Sequence, residues 1–172
     1  MSHAKNKVEW CLEKAKKELK EKESHRGLVK SQPHKEKARE FINKAEHYLR
    51  ATAYLKEGNF SDISASTVFY AMYHSLLAIA AKFGYFSRNQ ECTFALMYSL
   101  IEDRKINFEK KILDKIALLN ADKTEKASEK TSVEIREQYQ YETKTQLQDN
   151  LYKELFSLAQ QVISKAKVII EE

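Results

Sequence analysis

Ser66, Tyr70 and His74 follow one another at intervals of four residues, in a stretch whose neighbours are mostly apolar. On an α-helix this spacing puts two hydroxyls and one imidazole on a single face. Imidazole is the side chain best suited to moving a proton near neutral pH. A second polar concentration runs from Ser87 to Thr93 and reads Ser-Arg-Asn-Gln-Glu-Cys-Thr at an expected helix start. Free backbone N–H groups at such a terminus favour an anion such as phosphate, to which Arg88 adds a fork of donors. Asn89 and Glu91 stand in the same turn. A third concentration spans Val133 to Glu142, where Arg136 and Gln140 are one turn apart and Tyr139 and Tyr141 flank them. Arginine beside aromatic rings suits phosphate and base contacts. Each segment also has a plainer reading: a satisfied core network, a capped helix with a solvated first turn, and an amphipathic helix whose Arg136 pairs with a carboxylate.

The elements that position these residues read as helices. The 172 residues include three Gly and one Pro, too few for the many turns of a sandwich, barrel or doubly wound sheet. Apolar spacing predicts helices over about 4–24, 35–57, 61–83, 88–103 and 145–170, with a shorter amphipathic stretch over 107–120. Gly58 and Gly84 serve as stops, and Ser61 or Asp62 and Ser87 as caps. His25 to His34 reads as a linker. The expected fold is all-α: a four- to five-helix up-and-down bundle over 36–172, with an additional basic helix and linker over 1–35.

Composition bounds the function. Apolar residues make up 42% and charged residues 32%, which excludes disorder throughout. The net charge is +5, and residues 1–60 hold fifteen Lys/Arg against nine Asp/Glu, so the positive excess is an amino-terminal property. Lys14, Lys16, Lys17, Lys20 and Lys22 would attract phosphate, although Glu13, Glu18, Glu21 and Glu23 interleave with them as helical pairs. No Gly-rich phosphate loop, Glu-x-x-His pair or His-Glu-x-x-His pattern occurs, so no metal and no cofactor is expected. Two cysteines make neither a disulfide framework nor a four-thiolate zinc site. The charged amino terminus lacks an apolar signal core, which leads to the expectation of a cytoplasmic protein. Ile63 to Ala81 carries no charged residue, but its hydroxyls and His74 favour a buried central helix over a membrane span.

Helix Ala38–Leu55, the following Phe69-Tyr-Ala-Met-Tyr-His-Ser-Leu-Leu-Ala78, Gly84, the Ser87-Arg88 helix start and Arg136 before the last helix occur in that order. Together they resemble the HEPN superfamily (higher eukaryotes and prokaryotes nucleotide-binding), small helical bundles widespread in prokaryotes. The resemblance covers roughly residues 36–170. It implies a homodimer with a cleft at the interface. In many members that cleft is a metal-independent endoribonuclease site, and many are toxins neutralised by a minimal nucleotidyltransferase partner. Their signature is Arg, four to six residues, then His: the Arg stabilises phosphate charge and the His moves a proton as the ribose 2′-hydroxyl attacks.

This sequence departs from that signature. Arg136 is followed at the matching place by Tyr141, and no Arg is followed by His at that spacing. A tyrosine hydroxyl is a far poorer base than imidazole near neutral pH. The candidate catalytic set is therefore Arg136, His74 and Tyr141, with His74 supplying the missing base. Arg88, Asn89, Glu91, Tyr70, Ser66 and Gln140 form the candidate phosphate- or ligand-binding set. Two readings follow: a bundle that binds RNA or a nucleotide phosphate, or a non-catalytic protein-interaction module on the same scaffold.

Overall fold

The computed structural model describes residues 2–117 and 148–172. Of these, 77% are helical, and the fold is all-α. Arg136, Gln140 and Tyr141 lie outside the described residues. In chain order the elements are α1 (His3–Glu21), β1 (Leu28–Lys30), α2 (Lys35–Glu57), α3 (Ser61–Lys82), β2 (Tyr85–Ser87), α4 (Gln90–Glu102), α5 (Lys110–Ala117) and α6 (Asp149–Glu171).

Helix α3 is the centre. Fifteen of its twenty-two residues are buried, among them Val68, Phe69, Met72, Leu76 and Ile79. It is long and apolar enough to cross a membrane, and 67% of its most apolar window is buried within this fold. Helices α2 and α6 pack against it and against each other. Helix α2 brings Ala38, Ile42, Ala45 and Thr52 inward; the small alanines let the two backbones approach closely. Helix α6 brings Leu155, Ala159, Val162, Ile163, Ala166 and Ile169, a stripe at helical period.

Capping follows local chemistry, with differences from the sequence reading. Helix α2 runs over the expected 35–57, with the His34 Nδ1 accepting from the Lys37 N–H at 3.1 Å. Neither Ser61 nor Asp62 caps α3; its N-cap is Phe60, without a side-chain bond. The chain enters through Asn59 in the left-handed region (φ 63°), and Ser61 is buried inside the first turn. Helix α4 is capped by Asn89, whose side chain accepts from the Cys92 N–H at 3.0 Å. Ser87, the expected cap, instead donates to the Asn89 carbonyl at 2.9 Å.

The expected linker over 25–34 contains a strand. β1 pairs antiparallel with β2, with Val29 opposite Phe86. Gly84 makes this possible. Its φ is +77°, and a Cβ there would lie 2.5 Å from the Ser31 carbonyl oxygen, so only glycine fits without displacement. Composition argued against a large sheet and carried no signal for two three-residue strands.

Helix α1 lies on α4 and β1, burying Ala4, Val8, Cys11 and Ala15. Cys11 is joined to Cys92 by a disulfide with Cα atoms 5.8 Å apart. The cysteine count excluded a multi-bridge framework but did not reveal this single bond.

Candidate functional site

The Ser66–Tyr70–His74 row lies at the seam between α2 and α3. Ser66 and His74 are half-buried, and Tyr70 is 36% exposed. The row is therefore an edge of the bundle rather than a buried network. Among the described residues, the buried polar side chains are Thr52, Ser61, Ser64, Ser75 and Thr93. Two of them tie α2 to α3: Thr52 shares a hydroxyl bond of 2.8 Å with Thr67, and the Ser64 hydroxyl donates to the Thr52 carbonyl at 3.2 Å. These bonds fix the register in which α2 presents its rings to His74.

Those rings are Phe41 and Tyr48. The His74 imidazole stacks on Tyr48 with centroids 5.3 Å apart and planes 14° from parallel, and on Phe41 at 5.9 Å and 29°. Tyr48 in turn meets Tyr70 at 5.5 Å. Two ammonium groups border the stack. Lys37 lies 5.7 Å from the Phe41 centroid and Lys44 lies 5.2 Å from that of Tyr48, distances at which a cation is attracted to a ring face. The surface thus combines a four-ring platform with the Lys44 ammonium and with Lys37, whose ammonium is paired with Glu40 at 2.7 Å.

The His74 imidazole is biased toward its neutral form. Burial, and secondarily the Lys44 ammonium, holds its pKa below the ordinary imidazole range. Its buried Nδ1 has no hydrogen-bond partner among the described residues. A neutral ring with an unpaired buried nitrogen stacks without the desolvation cost of a charged one.

The second expected cluster divides. Asn89 spends its side-chain oxygen on the helix cap. Arg88 is exposed, with its backbone N–H donating to the Gly27 carbonyl at 3.1 Å. Glu91 turns toward α1 and pairs with Lys7 at 2.9 Å. There it borders a cavity of about 700 Å³ among α1, α4 and α5. Tyr98, on the same wall, donates to Asp114 at 2.7 Å; burial and that carboxylate push its pKa up. Tyr73, whose ring meets that of His74 edge-on at 6.4 Å, shares a hydroxyl bond of 3.1 Å with Thr93, and Thr93 donates to Ser87 at 2.8 Å.

Tyr70 and His74 are therefore together, with Ser66 one turn along, while Arg88, Asn89 and Glu91 face other surroundings. Among the described residues, no group of three His, Cys, Asp or Glu side chains is arranged to hold a metal ion. In the sequence Phe41 and Tyr48 belong to the apolar stripe of α2, and Lys37 and Lys44 stand outside every motif. The signal was present: Lys37 and Lys44 are seven apart, as are Phe41 and Tyr48, and each lysine precedes its ring by four residues. That repeat puts all four on one helix face. No protein-family model matches the chain, and no curated protein matches it.

Proposed function

We propose that this chain is a HEPN-like helical bundle that binds RNA or a nucleotide phosphate on the α2–α3 seam. The observation that carries this reading is the Tyr48–His74 stack bordered by Lys37 and Lys44. Bases stack on aromatic faces regardless of sequence, and lysines beside them neutralise the phosphates that follow. Tyr70, the most exposed ring of the platform, is the first to meet a base. Ser66, one turn away, offers a hydroxyl to sugar or phosphate. The platform is open, and a second copy of the chain closes it into a cleft. In this reading Arg136 contributes phosphate contacts, a role that the resemblance implies, as do Gln140 and Tyr141.

The same reading assigns proton transfer to His74, whose neutral imidazole can accept a proton from a ribose 2′-hydroxyl. This reading makes the chain the toxin-like partner of a minimal nucleotidyltransferase in the cytoplasm, a compartment that holds Cys11 and Cys92 as thiols unless an oxidant joins them.

The test uses labelled single-stranded RNA without metal, with wild type, Lys44→Ala and Arg136→Ala. Binding that weakens in the variants supports the site, and cleavage lost in Arg136→Ala or His74→Ala adds the nuclease activity. A second reading, the interaction module, draws on the exposed Tyr54, Phe60 and Ile63 near the same seam. It prevails if wild type binds no RNA but self-associates or captures a purified nucleotidyltransferase.

A further inference from the structure

From the Cys11–Cys92 bond we infer that α1 is a redox-latched arm, closed on the bundle when the two cysteines are oxidised and loosened when they are thiols. The bond spans 81 residues of sequence and joins the middle of α1 to the first turn of α4. Both sulfur-bearing residues are fully buried. Apart from the bond, α1 is held by small side chains, Ala4, Val8 and Ala15, with Leu12 partly buried against the core; the small ones bury little apolar area. Its polar ties to α4 and the turn after it are Lys7–Glu91 at 2.9 Å, Lys5–Asp103 at 2.5 Å and Ser2–Glu102 at 2.5 Å. All sit near the surface, where such pairs contribute little. None of these polar ties involves α2, α3 or α6, so the bond acts first on one arm, although Val8 and Cys11 join the same hydrophobic core as those helices.

The exchange balances with a small disulfide, such as oxidised glutathione, as co-reactant. The two cysteine thiols give up two protons and two electrons and join sulfur to sulfur; the oxidant's own S–S bond breaks and leaves as two thiols. A dithiol reductant reverses the step. Because neither sulfur reaches solvent, each direction requires α1 to lift first. Opening also dismantles the cavity of about 700 Å³, since His3, Ala4 and Lys7 of α1 form one of its walls. This inference is independent of RNA binding.

The experiment compares the full chain reduced with dithiothreitol and oxidised with glutathione disulfide, each form verified by mass and followed by amide hydrogen exchange. Residues 3–21 are expected to exchange about ten-fold faster or more in the reduced form, with α2, α3 and α6 unchanged. The double variant Cys11→Ala/Cys92→Ala is expected to match the reduced form under either condition. Equal exchange of α1 in both forms of the wild type overturns the inference. So does loss of protection spread evenly over α2, α3 and α6, which would make the bond a staple of the whole fold. The wild-type pair decides the matter even if the variant does not fold.

Discussion

The His74 imidazole lies 5.3 Å from the Tyr48 ring and within 14° of parallel to it, so a residue of α3 and a residue of α2 stack on one another across the seam. The Thr52–Thr67 hydroxyl bond at 2.8 Å holds the two helices in the register that allows it.

Burial of His74 sets a pH dependence. Unfolded, the imidazole titrates near 6.5; folded, its pKa is lower. Between those values the unfolded chain binds more protons than the folded one. This contribution to stability is therefore complete above about 6.5 and declines as pH falls toward the folded pKa. His74→Phe keeps a ring in the stack and removes the titration. Its denaturation midpoint is expected to vary less than that of wild type between about pH 7 and about pH 5, measured in urea.

Tyr70 is a surface ring that belongs to the platform. Tyr70→Ala is expected to weaken single-stranded RNA binding by about 1–3 kcal/mol while changing stability by only about 0.5 kcal/mol. Fluorescence anisotropy and urea denaturation on the same sample separate the two effects.

Lys37 and Lys44 act through phosphate charge. Each Lys→Ala change is expected to weaken binding evenly across RNA sequences. Each also lowers the slope of log affinity against log salt by about one, read from titrations at several salt concentrations.

Gly84 holds the turn between α3 and β2 at φ +77°, against the Ser31 carbonyl. Gly84→Ala is expected to cost about 1–3 kcal/mol and to loosen the β1–β2 pairing, measured by denaturation and by exchange of the Ser31 N–H, which donates to the Gly84 carbonyl at 2.7 Å.

Helices were legible because their signals are local. The apolar stripe of α2 and its Gly58 stop lie within one segment, and the helix occupies the residues that the stripe marks. What the sequence could not carry was pairing at a distance. Cys11 and Cys92 are joined, and Val29 lies opposite Phe86, yet nothing near any of these residues names its partner. The site was half legible. His74 and Tyr70 stood out because polar groups are rare on α3. Phe41 and Tyr48 belong to the apolar stripe of α2 and do pack against the core, and only the docking of α2 on α3 shows that they also stack on the His74 imidazole. Asn89 and Glu91 are expected ligand groups; in the fold the Asn89 side chain caps α4 and Glu91 pairs with Lys7.

The most direct measurement is an NMR titration of the full chain with short single-stranded RNA, without metal, following the ring signals of His74, Tyr48 and Tyr70. Saturable shifts of all three, with Lys44→Ala raising the concentration needed, are the predicted result. RNA that binds while these three rings stay unmoved, or no binding at all, would contradict the α2–α3 seam as the nucleic-acid site.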